Sequence, residues 1–307
     1  MVTMREKSFR RRQFLGQIGS VATGLVGLEV LSSPVRGATY VPVISTRGHF
    51  DDSAQLTSGH TATGYDTDGT VPGVDTSCAG DLLVFIHGWT KNGTDSEAAR
   101  SAEEKFEHAD ASLDGTGYSG TVAGYSWDNN KGGGIDLGWE EAKAIAQKNG
   151  PKLAQFCLDY KYLCGGTLRL ASHSLGAQVL FSALRVLDAS SYWDNHGYRI
   201  ESAHLFGAAI DNETPTREDI NSYNAVIHTT RATFNYYSQE DNVLSWIYNV
   251  YEFDQALGET GAEDGNTPAP NYTDFNATAQ VGDNHSGYLD AASDEAVYHM
   301  NHIGNYD

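Results

Sequence analysis

The sequence predicts an α/β fold: a mostly parallel central sheet with helices on both faces. Three observations carry this. Strand-like and helix-like stretches alternate along most of the chain, the order that builds parallel sheets covered by helices. Leu82 to Ile86 is an uninterrupted apolar run bounded by Gly80 and Gly88, as expected of a strand buried on both faces. A second strand-like run, Thr167 to Ser172, passes through Ser174 straight into an apolar-periodic helix.

The elements follow in order. Residues 1–37 read as an address rather than as fold. Arg10-Arg11-Arg12 precedes Gln13-Phe14-Leu15, and an apolar run follows from Ile18 to Leu31. The string Arg11 to Leu15 looks like a twin-arginine export signal. It implies the Tat translocation machinery as a partner and an extracellular or cell-surface destination. The apolar run contains Glu29 and is short for a membrane span. Cleavage is expected near Gly37 or Ala38, leaving 38–307 as a single domain. A basic anchoring N-terminus, including an uncleaved tether, is the alternative.

Residues 40–80, rich in Thr, Gly and Asp, read as irregular leading strands and turns. Ser96 to Ala111 is an expected helix, with Asp95, Ser96 and Glu97 favouring its N-terminus. Thr121 to Trp127 is the next strand. A helical pattern then runs from about Trp139 to Tyr162, and Pro151 is expected to kink or split it. Leu175 to Leu187 has helical spacing at Leu175, Val179, Leu180, Ala183, Leu184 and Leu187. Ile200 to Phe206 and Ala232 to Tyr237 are later strands, with a short helix, Thr216 to Tyr223, between them. Val243 to Leu257 reads as an aromatic helix, and Ala291 to Ile303 as the last one. Sheets of this kind hold ligands at the carboxyl ends of their strands.

Charge sets limits on partners. The chain has 40 acidic and 20 basic side chains, a net charge of −20. The first 37 residues hold six of the basic ones (Arg5, Lys7, Arg10, Arg11, Arg12, Arg36) and two acidic ones (Glu6, Glu29), leaving 38 against 14, or −24. Such a balance argues against nucleic acid or anionic membrane as a partner. Molar salt would screen the self-repulsion within about 3 Å, so the composition resembles that of proteins from halophiles. An ordinary acidic secreted protein is the alternative.

The chemistry centres on Ala171-Ser172-His173-Ser174-Leu175-Gly176. A buried strand running into a Ser at a helix start puts the hydroxyl on a sharp, exposed turn. The Leu175 amide can then face a developing oxyanion. The turn packs backbone closely, so small residues are needed two before and two after the Ser. Gly176 meets this need, and Ser172 stands where the usual pattern has Gly. A second motif is Phe85-Ile86-His87-Gly88-Trp89, with His87 lying 87 positions before Ser174.

On these residues the chain resembles the α/β-hydrolase superfamily, nearest to bacterial and archaeal lipase- or esterase-like members, over roughly residues 80–290. The resemblance implies an exported serine hydrolase cleaving carboxylic esters through an acyl-enzyme on Ser174. The Trp89 amide, after the His-Gly pair, would join that of Leu175 in the oxyanion hole, with His87 structural. The family order of Ser, acid, His points to Asp241 after the 232–237 strand, with Asp211 and Glu240 as rivals. It points to His285, in a Gly-containing loop, as the base. His299 and His302 read as surface residues, and His173, His204 and His228 as strand or packing residues. Trp89, Tyr125, Trp127 and Trp246 could line an acyl pocket or fill the core. No metal or organic cofactor is implied, and the partner would be a small-molecule or lipid ester. A peptidase or amidase on the same fold is the alternative, as is a non-catalytic binding protein. The family's sheet order would also set the strands after Cys78 and Cys164 side by side, within disulfide reach, with Cys157 left as a buried thiol. Three unpaired cysteines are the other reading.

Overall fold

The computed structural model describes residues 40–90, 93–132 and 138–303. The expected export segment, 1–37, lies outside the described residues. Among the described residues eight strands share one sheet: β1 (Val43–Ser45), β2 (Asp66–Thr67), β3 (Asp81–Ile86), β4 (Thr121–Ser126), β5 (Thr167–His173), β6 (Ile200–Phe206), β7 (Thr230–Tyr237) and β8 (Tyr272–Asn276). Their order is β2-β1-β4-β3-β5-β6-β7-β8. Every neighbouring pair is parallel except β1 with the edge strand β2. The helices are α1 (Asp95–Gly115), α2 (Trp139–Cys164), α3 (Gly176–Asp188), α4 (Ser191–Asn195), α5 (Ile220–Thr229), α6 (Asn242–Ile247), α7 (Leu257–Thr260), α8 (Thr278–Val281) and α9 (Tyr288–Asn301). None of the described helices is long and apolar enough to cross a membrane.

The sheet is covered on both faces, the α/β-hydrolase architecture expected. Alternation along β3 shows why. Leu82, Val84 and Ile86 enter one core with α2, α3 and α5, while Leu83 and Phe85 enter another with α1 and α9. Both halves are fully buried, so the strand is apolar throughout. α1 presents Ala98, Ala102, Phe106, Ala109 and Leu113 to the second core. It begins one residue earlier than the sequence suggests and runs a turn longer. Thr94 and Glu97 close a reciprocal capping box at its start.

Pro151 does not split the expected helix: α2 is continuous from Trp139 to Cys164. A proline orphans the carbonyl four residues back. Here that carbonyl, of Gln147, accepts the Ser182 hydroxyl of α3 at 2.7 Å. Gly150 makes this contact possible, because a Cβ there would collide with Ser182.

Other elements also differ from expectation, three of them instructively. The short helix begins at Ile220, not Thr216, because the Asp219 side chain caps it by accepting the Ser222 amide at 3.2 Å. The aromatic segment breaks into α6, a π-helical turn (Tyr248–Glu252) and a left-handed Phe253. β8 had no sequence expectation at all. Cys78 and Cys164 form a disulfide with Cα atoms 5.6 Å apart, and Cys157 is a buried free thiol. Asp81 pairing with Thr167 in the sheet register is what brings their chains together.

Candidate active site

Ser174 sits at the carboxyl end of β5 with φ of +54°, a left-handed conformation that costs a non-glycine residue about 1–3 kcal/mol. Backbone bonds over-determine it. The Ser174 amide donates to Phe206 O at 3.0 Å, and the Ser174 carbonyl accepts from Ala177 and Ala209 at 3.0 and 3.1 Å. Two glycines leave room for it. A Cβ on Gly176 would lie 2.5 Å from Ile86 O, and one on Gly88 would lie 2.8 Å from the Ser174 Cβ. At the position where the usual pattern has Gly, the Ser172 hydroxyl is buried and meets no partner among the described residues.

The loop between α8 and α9 brings His285 to this turn. The Ser174 hydroxyl lies 2.9 Å from His285 Nε2, and His285 Nδ1 lies 2.7 Å from Asp241 Oδ2. A proton on Nδ1, donated to the carboxylate, leaves Nε2 to accept from the serine. Asp241 is 1% exposed and follows β7. Its Oδ1 accepts the Val243 and Leu244 amides, both at 3.1 Å, so it also caps α6. The Tyr288 hydroxyl lies 3.1 Å from Asp241 Oδ2, and burial beside that carboxylate pushes the phenol far up. Gly207 makes space for this ring, since a Cβ there would lie 2.5 Å from it.

The rival acids lie elsewhere. Asp211 lines a separate acidic cavity with Glu213, Asp219 and Asp254, and burial pushes its carboxyl up. Glu240 lies next to Asp241 in the chain, but the carboxylate bonded to His285 is Asp241.

Leu175 and Trp89, the expected oxyanion donors, lie beside the serine turn. Leu175 caps the start of α3, and Trp89 follows Gly88, which packs on Ser174. Neither amide donates to protein among the described residues. The indole of Trp89 meets Trp139 edge-on, with centroids 5.5 Å apart. Tyr125 and Trp127 are core residues at 0% exposure, whereas Trp246 is 47% exposed.

Sequence reasoning missed the braces of this site. Asn129 Nδ2 donates to Gly88 O at 2.7 Å and lies 2.8 Å from Thr90 Oγ1, holding the loop that carries Trp89. Arg47 lies under it and donates to Ser126 Oγ at 2.7 Å and Ala98 O at 3.0 Å. Burial lowers its guanidinium to about 10. His87 spends both ring nitrogens structurally. Nδ1 meets Gly88 O at 2.8 Å, and Nε2 accepts the Trp127 amide at 3.2 Å. His173 does more than pack: its Nε2–H donates to the His285 carbonyl at 2.7 Å. Burial keeps both imidazoles well below their ordinary pKa and therefore neutral. Arg47 and Asn129 lie outside the motifs and carry no sequence signal of such roles, whereas His87 and His173 lie inside them and only their bonding partners were not readable.

The remaining histidines divide differently from expectation. His204 is a buried strand residue. His299 is not at the surface. It is 5% exposed, stacks on Phe234 at 4.3 Å and lies 2.9 Å from the Tyr236 hydroxyl. His302 is exposed. His228 is half exposed on α5 and pairs with Asp188 at 2.8 Å.

His49, His60 and Asp66 gather ligand-type atoms within 4.8 Å of one another. The Lys152 ammonium donates to Thr61 O, Gly64 O and His49 Nδ1. His49 must then carry its proton on Nε2, which donates to Asp66 at 3.0 Å. That wiring occupies the nitrogen a metal would need.

None of the curated proteins matches the chain in sequence. Similar solved structures include a Trichoderma reesei cutinase in complex with a phosphonate inhibitor. It is 16% identical with a TM-score of 0.37, covering 74% of this chain and 77% of the cutinase. An acetyl xylan esterase is 12% identical with a TM-score of 0.41, covering 73% of this chain and 98% of the esterase. The family described as Protein of unknown function (DUF726) matches residues 123–289, more than half of the 307-residue chain, and the chain belongs to that family.

Proposed function

We propose that the chain is an exported serine hydrolase that cleaves carboxylic esters through an acyl-enzyme on Ser174. One observation carries this reading: the continuous hydrogen-bonded series Ser174 Oγ, His285 Nε2, His285 Nδ1, Asp241 Oδ2. His285 takes the hydroxyl proton as Ser174 attacks the acyl carbonyl. Asp241 stabilises the imidazolium and fixes its tautomer. The amides of Leu175 and Trp89 receive the oxyanion. The imidazolium then gives its proton to the leaving alcohol. Water activated by the same His releases the acid.

A small-molecule or lipid ester is the proposed substrate, and the Tat machinery the proposed partner in export. A disulfide between Cys78 and Cys164 suits a protein that meets an oxidising environment. The acidic balance supports a salt-rich one. Labelling with a fluorophosphonate tests the nucleophile. The full chain should label once, Ser174→Ala should not, and labelling of that variant at wild-type level would overturn the reading. Turnover of a p-nitrophenyl ester compared with the matching anilide separates ester from amide cleavage.

A further inference from the structure

A cavity of about 320 Å³ lies between α1 and α9, with His173 in its lining. Phe85 and Leu289 give it an apolar wall; Ser101, Lys105, His173 and Ser286 line the rest. Glu104 and His108 also border it at exposed positions. Neither Ser174 nor His285 lines it.

Lys105 is its unusual member. In a chain with twice as many acidic as basic side chains, its ammonium makes no hydrogen bond or ion pair among the described residues. Burial and the nearby Arg47 push it below the ordinary lysine range, and no acidic group acts the other way. His108, the nearest imidazole on the helix, is already paired with Asp290 at 2.8 Å. Charges withdrawn from water are normally paired; half-buried Lys105 stands beside the hydrocarbon wall with no ion-pair partner among the described residues, and the exposed Glu104 carboxylate borders the same cavity.

We propose that this cavity binds a small, apolar-tailed monocarboxylate, with its carboxylate on Lys105 and its tail against Phe85 and Leu289. One cation matches a monoanion, and the volume sits at the lower end of the roughly 300–1,000 Å³ of small-molecule sites. The position matters for the reaction. Ser286 follows His285, and His173 holds the His285 carbonyl. An occupant touching both changes how firmly that loop presents the imidazole. Ester cleavage releases a carboxylic acid, so the cavity is where product acts back on the enzyme; this extension, unlike the binding itself, rests on the esterase reading.

Isothermal titration of the full chain with octanoate tests the proposal. One octanoate should bind. Lys105→Met should weaken it at least about tenfold, the loss of one charge-assisted contact, with a melting temperature no lower than that of the wild type. Ser101→Trp, which fills the cavity, should abolish it, and 1-octanol should bind at least about tenfold more weakly than octanoate. Wild-type affinity in Lys105→Met would overturn the site, and displacement by an equal concentration of chloride would reduce it to a simple anion site. Octanoate should slow p-nitrophenyl acetate turnover in the wild type and not in Lys105→Met; binding without that effect would overturn the feedback. Failure of the esterase reading would show separately, as intact octanoate binding with no ester turnover.

Discussion

The two ends of the sheet are built on opposite terms. At the N-terminal ends of β3 and β5 every strong group is matched. Cys78 is joined to Cys164, Arg169 forks onto Asp81 at 3.0–3.1 Å, and the Tyr118 hydroxyl donates to the same carboxylate at 3.0 Å. At the carboxyl ends of the same strands the chain holds a strained Ser174, a Ser172 hydroxyl with no partner among the described residues, and neutral buried imidazoles. The comparison teaches where stability and reactivity reside. One end tightens the fold, and the other keeps groups in states they would not adopt alone.

The largest effects should come from the strained end. His285→Ala and Ser174→Ala should lower ester turnover by several orders of magnitude, and Asp241→Asn by about 10⁴ through the wrong tautomer. Ser174→Gly should abolish turnover and yet raise stability by about 1 kcal/mol, since glycine adopts this φ freely. Initial rates and calorimetry check both. Near-normal turnover in His285→Ala would dissolve the assignment of the base.

At the opposite end, Cys78→Ala with Cys164→Ala should cost about 2–5 kcal/mol of stability and leave kcat of the folded protein within about twofold. A kcat that falls with stability would show that the two ends are coupled.

Lower pH should probe the imidazoles. Burial holds His87, His173 and His204 far below their ordinary range and His299 at about 4, against about 6.5 unfolded. Protonation therefore favours the unfolded chain. Each contribution is complete above about pH 6.5 and shrinks as pH falls below it, that of His299 being lost as pH falls through about 4. Urea midpoints should drop between pH 7 and 4.5, and His299→Phe should flatten that drop.

Salt should have the smallest effect. The thermal midpoint should rise by a few degrees between low and molar sodium chloride, as screening relieves self-repulsion. A flat or falling midpoint would remove the halophile reading.

The residues that the structure brings together were legible because each stands at a readable junction. Ser174 lies between an apolar strand and an apolar-periodic helix, Asp241 after an aromatic strand, and His285 in a Gly-bounded loop. β8 was illegible because an edge strand is only partly buried: Tyr-Thr-Asp-Phe-Asn is mostly polar and carries no strong apolar run. The break after Ile247 escaped notice because aromatic spacing fits an α-helix and a π-turn about equally well. His299 looked like a surface residue because ring stacking is a tertiary fact. Asn129 and Arg47 act across more than 35 positions of chain, beyond the reach of any local pattern.

The bond from Ser182 to the Gln147 carbonyl makes α2 a lever with a fixed fulcrum. From Gly150 to Trp139 the helix extends about 17 Å, at 1.5 Å per residue. Its N-terminal end carries the Trp139 indole, which donates to Glu252 at 2.6 Å and meets Trp89 edge-on beside the serine turn. A pivot of about 6° at the fulcrum would swing that indole by nearly 2 Å, on the order of half an atom's diameter. The bond that satisfies the backbone before Pro151 thus bears on where the Trp139 indole meets Trp89, from a point about three turns of helix away.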